Sequence, residues 1–241
     1  MAPAGTQKSG VVHVGGPRPT PRQAGRELVD VASALPLFLG APLVRRWHRR
    51  WGATDAEVGA AMPGDKVVPG CQYCCTRAIT IDAPPAAVWP WLVQVGFGKA
   101  GFYSNDLLDN VGHPSADRVL QEFQHPEVGD WVPMFSKVND VTAFRIAAIE
   151  PPRHLLWAKP DSTWEWQLTD AGGGTRLVTR LRILYQWRTS PFGALASLVL
   201  NEHGDFAMMR KMLRTLKQRA ETVQHLRSAR RVSRARRRSR R

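Results

Sequence analysis

Residues 162–187, STWEWQLTDAGGGTRLVTRLRILYQW, alternate between apolar and polar side chains. Successive side chains of a β-strand point to opposite faces, so this alternation predicts strands with one apolar face. That face comprises Trp164, Trp166, Leu168, Leu177, Thr179, Leu181, Ile183, Tyr185 and Trp187. The opposite face comprises Glu165, Gln167, Arg176, Arg180 and Arg182. With a turn at the Gly-rich residues 170–174, the stretch predicts an antiparallel hairpin.

Three earlier stretches extend the hairpin into a meander: VGDWVPM at 128–134, TAFRIAAIE at 142–150 and HLLWAK at 154–159. In the second stretch, Phe144, Ile146 and Ala148 again share one apolar face. Burying charge is costly, so a sheet with one apolar and one charged face is expected to be covered on the apolar side only. The cover should be a helix.

The C-terminal part of the chain supplies this helix over residues 194–226. Apolar side chains recur there every three or four positions, as in an amphipathic helix. They are Leu195, Val199, Phe206, Met209, Leu213, Leu216, Ala220 and Val223. Upstream, residues 77–82 alternate as a strand, and two short helices are expected after it, one from Pro84 and one over 104–110. The fold class is therefore α+β, with a curved antiparallel sheet wrapped around a long C-terminal helix.

Charge divides the chain into a neutral body and basic ends. Residues 1–51 carry eight Lys and Arg against two acids, residues 52–226 carry seventeen against eighteen, and residues 227–241 carry nine Arg and no acid. Blocks of like charge repel one another and rarely pack. We therefore expect a globular domain over 53–226, a disordered N-terminus over 1–27 and a disordered Arg-rich tail over 227–241.

Residues 28–52 form an apolar and then basic amphipathic segment. The uncharged run 31–44 would be about 21 Å long as a helix, short of the roughly 30 Å hydrocarbon core, and two prolines interrupt it, so a transmembrane span is the less favoured alternative. Leu43, Trp47 and Trp51 then share one helical face, with arginines on the others. The segment can lie on an anionic membrane, pack on the domain or be partly disordered. Residues 43–51 and 227–241 are thus candidates for peripheral membrane contact, and the tail also for non-specific binding of nucleic acid.

The cysteines and the glycine motif do not indicate a cofactor. Cys71, Cys74 and Cys75 are too few and too close together for a disulfide framework, and a tetrahedral metal site would lack its fourth ligand. GFGKAG at 96–101 matches a dinucleotide fingerprint only literally, since it follows a helix. We expect no metal and no nucleotide cofactor. Cysteine usage favours a reducing, cytoplasmic location, and no apolar run after Met1 indicates a secretory signal.

Particular strings add a family resemblance. They are TRAITIDAPPAAVWPWLVQVG at 76–96, GFYSNDLLDN at 101–110, VGDWVP at 128–133 and FAMMRKMLRTLKQRAE at 206–221. In this order, the chain resembles the START-like or SRPBCC superfamily of helix-grip proteins, and in particular its polyketide cyclase/dehydrase-like branch. The resemblance implies a seven-stranded sheet and a cavity between sheet and long helix for a lipid, a polyketide or another apolar compound. Family members often carry His where this chain has Asp205.

Glu202 interrupts the apolar stripe of the long helix and is the candidate catalytic acid. A carboxylate facing the sheet can exchange a proton with a bound ligand, with Tyr185 and Tyr103 as polar companions. Alternatively, Glu202 pairs with an arginine such as Arg182 of the sheet or with the helix end. The candidate ligand-binding residues are Trp164, Trp166, Trp187, Phe206, Met209, Tyr103, Phe144 and Leu181. Each of them can equally be ordinary core.

Three functions remain open from the sequence. The first is binding, sequestration or transport of a hydrophobic small molecule. The second is a cyclase or dehydratase in which Glu202 and Tyr185 move protons. The third is a scaffold tethered to membrane or nucleic acid through its basic ends.

Overall fold

The computed structural model describes residues 11–12, 19–40 and 43–238, with the side chains of 34, 37, 38 and 227–238 excepted. Within these residues the chain forms one antiparallel sheet of six strands. The strands are β1 (Tyr73–Ile81), β2 (Trp131–Pro133), β3 (Ala143–Glu150), β4 (His154–Lys159), β5 (Ser162–Ala171) and β6 (Gly174–Ile183). Their order across the sheet is β1-β6-β5-β4-β3-β2. The resemblance implied seven strands, one more than the described residues form.

Seven α-helices accompany the sheet in the described part of the chain. They are α1 (Pro21–Gly40), α2 (Arg45–His48), α3 (Asp55–Gly59), α4 (Pro85–Val93), α5 (Asp106–Asp109), α6 (Pro191–Val199) and α7 (Asp205–Arg238). Short 3₁₀ turns cover Pro63–Asp65 and Gln121–Phe123. The predicted α+β fold is confirmed: α4 and α5 follow β1, strands β2 to β6 form the meander, and a long C-terminal helix packs on the sheet.

The register places the large rings on one face of the sheet, the inner face, which α7 covers. Trp164 of β5 lies opposite Trp157 of β4 and Leu181 of β6. Trp166 lies opposite Leu155 and Thr179. All of these residues are buried, and Leu213, Leu216 and other apolar residues of α7 belong to the same core. The alternation seen in residues 162–183 thus sets the inner face as predicted.

The outer face of the sheet is also covered, which corrects the expectation of one covered side. Arg180 is buried there and donates hydrogen bonds to the carbonyls of Glu57, Val58 and Ala60 and to Asp65. Glu165 is buried and accepts from the amide of Gly64. Charge on this face is buried because the segment that crosses it supplies a partner for each of these groups, which removes most of the desolvation cost.

The predicted long helix over 194–226 is two helices joined by a π-helical turn, Leu200–Gly204. Each extra residue in such a turn rotates the following side chains by roughly 100° relative to a regular helix. Leu195 and Val199 are consequently exposed, whereas Phe206, Met209, Leu213, Leu216 and Ala220 are buried and Val223 is partly buried. The expectation of one continuous apolar stripe is therefore wrong for α6.

Both predicted disordered ends are partly helical. Residues 21–27 begin α1, and residues 227–238 continue α7. Thr20 and Gln23 exchange hydrogen bonds as a capping box ahead of Pro21, which explains where α1 starts. Lys211 of α7 binds Asp30 at 2.7 Å, so α1 packs on α7. Residues 1–10, 13–18 and 239–241 lie outside the described residues.

Cys71 and Cys74 form a disulfide, while Cys75 is free and buried. Cysteine usage therefore no longer favours a reducing compartment. Considering residues 19–40 and 43–238, no helix is both long enough and apolar enough to cross a bilayer.

Candidate functional site between the sheet and the C-terminal helix

Three tryptophans from neighbouring strands form an aromatic cluster on the inner face. The ring centroids of Trp157 and Trp164 are 5.3 Å apart, those of Trp157 and Trp166 5.7 Å, and those of Trp164 and Trp166 5.0 Å. Phe144 of β3 adds an edge contact to Trp164 at 6.4 Å. Because alternate positions on adjacent strands face the same side, the sequence W-E-W in β5 opposite Trp157 is sufficient to build this cluster.

The indole N–H groups of the cluster differ in their partners. Trp164 Nε1 donates to Thr179 Oγ1 at 3.0 Å. Trp157 Nε1 and Trp166 Nε1 are buried and meet no acceptor on any described residue. A buried donor without an acceptor costs about 1–3 kcal/mol, and such groups are rare in native proteins. The indole N–H groups of Trp157 and Trp166 are therefore two buried donors available to an acceptor.

A buried ion pair closes one end of the same interior. Arg77 of β1 points to the inner face, is only 1% exposed, and contacts Asp205 Oδ2 at 2.6 Å through Nη1. Tyr73 Oη donates to the same oxygen at 2.9 Å, and Arg77 Nε donates to the carbonyl of His48 at 2.8 Å. Burial and then the negative charge of Asp205 raise the pKa of Tyr73 above its usual range. Asp205 thus has a structural partner where the resemblance leads one to expect a histidine.

His48 lies beside this ion pair and is fully buried. Its ring centroid is 5.5 Å from that of Phe206. Neither ring nitrogen has a hydrogen-bond partner among the residues described. Burial first, and the nearby Arg77 second, lower the pKa of His48 to about 4. The ring is therefore neutral at pH 7.

Seven of the eight predicted ligand-binding residues lie in the core. Trp164, Trp166, Phe206, Met209, Tyr103, Phe144 and Leu181 are all buried. The exception is Trp187, which is 43% exposed because β6 ends at Ile183 and the alternation of the strand no longer applies beyond it. Trp187 instead packs edge-on against Tyr185, with ring centroids 6.0 Å apart.

Glu202 lies in the π turn and is held by arginines of the basic segment. Its Oε1 accepts from Arg45 Nη2 at 2.7 Å and from Arg49 Nη2 at 2.6 Å. The arginine-pairing alternative is therefore the one observed, with Arg45 and Arg49 in place of Arg182. Burial and then the charge of Glu202 raise the pKa of Tyr185 to about 12, although no hydrogen bond joins these two predicted companions. The hydroxyl of Tyr103 donates elsewhere, to the carbonyl of Trp91 at 3.0 Å.

Four residues of this site were missed by sequence analysis: Trp157, Arg77, Asp205 as a partner, and His48. Trp157 could have been found, because the alternation in HLLWAK places it on the inner face with Leu155. Arg77 also carries a signal, since it shares parity with Ile79 and Ile81 in RAITID. No local pattern marks His48, whose burial depends on the packing of α2 against Phe206.

The side chains between sheet and α7 are buried and belong to one apolar core. Two cavities of about 540 and 380 Å³ lie elsewhere. The larger is on the outer face, between residues 46–65 and strands β1 and β6, and five arginines line it. The smaller is on the exposed side of α7, between Arg214 and His225. Across the described ranges, no group of three or more His, Cys, Asp or Glu could hold a metal ion.

No protein-family model matches the chain, and no curated protein matches it. Similar solved structures include the polyketide cyclase-like protein Cgl2372 from Corynebacterium glutamicum, at 16% identity and a TM-score of 0.38, covering 63% of this chain and 91% of that one. Protein BH1534 from Bacillus halodurans is 15% identical, with a TM-score of 0.39 and coverages of 63% and 99%. CalU16 from Micromonospora echinospora is 22% identical, with a TM-score of 0.28 and coverages of 62% and 84%. A polyketide cyclase-like protein is thus among the structural neighbours. Similarity at this level carries no ligand or activity from one protein to another.

Proposed function

We propose that the protein binds a hydrophobic small molecule bearing a hydrogen-bond acceptor, in the interior between the inner face of the sheet and α7. The observation that carries this proposal is the pair of buried indole N–H groups of Trp157 and Trp166 without an acceptor. An acceptor such as a carbonyl or ether oxygen on an otherwise apolar ligand would satisfy both donors and bury its carbon skeleton against the surrounding rings.

Ordinary core packing explains these two unpaired donors less well than ligand binding does. A core built only for stability would carry phenylalanine or leucine at these positions, because each unpaired N–H costs about 1–3 kcal/mol. Trp164 shows how this sheet satisfies an indole, through Thr179 on the neighbouring strand. A guest that reaches these two donors must displace side chains, because Trp157 and Trp166 are almost completely buried and pack against each other. Met209, which is unbranched and lies in the same core, is suited to repacking around a guest.

The test compares a medium-chain methyl ketone with the alkane of equal length, using tryptophan fluorescence of the full chain. We expect the ketone to bind more tightly, and Trp157→Phe and Trp166→Phe to weaken its binding about fivefold to tenfold each, the equivalent of one hydrogen bond of about 1–1.5 kcal/mol. Trp164→Phe is the matched control, because its N–H already has an acceptor.

Two results would contradict the proposal. One is equal affinity for ketone and alkane. The other is that the two phenylalanine variants leave ketone binding unchanged. Native mass spectrometry of the purified protein then identifies any molecule that remains bound from the cell.

Cyclase or dehydratase chemistry through Glu202 and Tyr185 stays a prediction. Two arginines, Arg45 and Arg49, hold the Glu202 carboxylate. Proton transfer by Glu202 would require that its ion pairs with these two arginines break. Glu202→Gln distinguishes the two functions, because it is expected to abolish turnover in an enzyme and to leave binding of the ketone unchanged in a carrier.

Tethering through the basic ends also stays a prediction. Deletion of residues 227–241 is expected to weaken any binding of DNA and of anionic vesicles in low salt, since nine arginines leave with the tail. A tail-deleted chain that retains full DNA affinity would exclude the nucleic-acid form of this hypothesis.

A further inference from the structure

Helix α6 exposes a row of large apolar side chains that its own fold does not cover. Phe192 is 87% exposed, Leu195 50% and Val199 52%. Their spacing of i, i+3 and i+7 places them on one face of the helix. Scattered single hydrophobic residues on a surface need no explanation, but a contiguous face of a helix does.

Exposed apolar residues of two other segments accompany α6. Leu43 and Trp47 are exposed in and before α2, and Trp187 is exposed before α6. The ion pairs of Glu202 with Arg45 and Arg49 hold α2 against the turn that follows α6. Trp47 also contacts Phe206 at the start of α7, with ring centroids 5.0 Å apart. These residues with α6 make up what we call the α6 face.

Basic side chains predominate around the α6 face. Arg45, Arg46, Arg50 and Arg188 are exposed in the same segments, and of these Arg50 is paired with Asp55. The sequence holds no Asp or Glu from residue 31 to 54 or from residue 171 to 201. The nearest acid in the turn, Glu202, is already paired with two arginines. The face therefore combines apolar side chains and tryptophans with positive charge at their margin.

We propose that the α6 face docks the protein peripherally on an anionic lipid bilayer. Phe192, Leu195 and Val199 enter the boundary between headgroups and acyl chains, Trp47 and Trp187 lie at headgroup level, and the arginines contact lipid phosphates. Charge complementarity favours this partner over a second copy of the chain, because two copies would bring like charges together. The inference does not depend on whether the interior binds a ligand.

The experiment measures binding of the full chain to vesicles of phosphatidylcholine alone and of phosphatidylcholine with phosphatidylglycerol. We expect binding to the anionic vesicles only, and Phe192→Ser to weaken it about tenfold, the equivalent of burying one large apolar side chain at about 1.5 kcal/mol. Phe135→Ser is the matched control: Phe135 is also exposed but follows β2, at the opposite edge of the sheet.

The Arg-rich tail also attracts anionic lipid, so a second readout is needed. Vesicles with brominated acyl chains quench tryptophans that insert, and tail attachment alone brings no tryptophan of the α6 face into the acyl region. We expect quenching that falls when Trp187→Phe is introduced and that persists in moderate salt. Equal vesicle affinity of Phe192→Ser and Phe135→Ser overturns the proposal. So does a vesicle-independent dimer of the wild type that Phe192→Ser dissociates, because the face would then serve a second copy.

Discussion

Helices α6 and α7 follow each other along the chain and carry apolar residues at similar spacing, yet they are buried very differently. Phe192 and Leu195 of α6 are exposed, whereas Phe206 and Leu213 of α7 are almost completely buried. Only the five-residue π turn separates the two helices. Apolar periodicity therefore predicts that a helix face needs a partner. It does not predict whether that partner is the protein's own sheet.

Removing the ion pair that anchors the start of α7 should have the largest effect. Asp205→Asn leaves Arg77 buried with a neutral partner, and breaking a buried pair costs about 3–5 kcal/mol. Urea denaturation measures the loss. Lys217→Gln is the control on the same helix, since its pair with Glu221 is partly exposed, whereas Arg77 is buried, and a solvent-accessible pair is worth less than about 1 kcal/mol. Similar losses in both variants would mean that the buried pair does not anchor α7.

Truncating one leucine in each helix tests the comparison directly. Leu213→Ala removes a fully buried side chain from α7 and should lower the free energy of unfolding by about 2–5 kcal/mol. Leu195→Ala on α6 should change it by no more than about 0.5 kcal/mol, because no core contact is lost. A large loss for Leu195→Ala in free solution would show that α6 has a covering partner within the folded chain.

The pH dependence of stability should report His48, which packs against the first turn of α7. Its folded-state pKa of about 4 lies below the ordinary value of 6.5, so the unfolded chain binds the proton more readily. Stability from neutral His48 is therefore complete above pH 6.5 and is lost as the pH falls towards 4. The total is about 3 kcal/mol at 1.36 kcal/mol per pKa unit.

His48→Phe, which keeps an apolar ring beside Phe206, should remove this part of the pH slope. Denaturation midpoints of the wild type and His48→Phe between pH 6.5 and 4.5 provide the measurement, and exposed His225→Gln on α7 is the control. The difference between variants isolates His48 from carboxyl groups such as Glu57, whose pKa is lowered to about 2 by its hydrogen bond with Arg176. Parallel slopes in all three proteins would contradict a neutral, buried His48.

Much of the sheet could be predicted from local pattern, and the parts that could not share one cause. Alternation placed Phe144, Trp164 and Trp166 on the inner face, because the side-chain period of a strand is fixed by its backbone. Alternation gave the wrong face for Trp187, because the pattern does not show that β6 ends at Ile183. The start of α1 could have been predicted from the capping box of Thr20 and Gln23.

The candidate site could be predicted only in its apolar part. The alternating spacing of a strand predicts which large rings point inward. The partners of Glu202, Arg77 and Arg180, in contrast, come from segments distant in sequence. From the sequence, the charged outer face is expected to stay exposed, because the cost of burial is considered for each charge without its partners. In the structure each charge has hydrogen-bond partners, which makes its burial inexpensive.

By itself, the sequence of this protein determined which residues share a face: the period of a strand or helix is a property of the local backbone. Tertiary structure alone decided which faces are covered and which polar atoms find partners. It buried Arg180 with five acceptors, exposed Phe192, and left the indole N–H groups of Trp157 and Trp166 without an acceptor among the described residues. Those outcomes depend on contacts across the whole chain, and a local pattern cannot encode them.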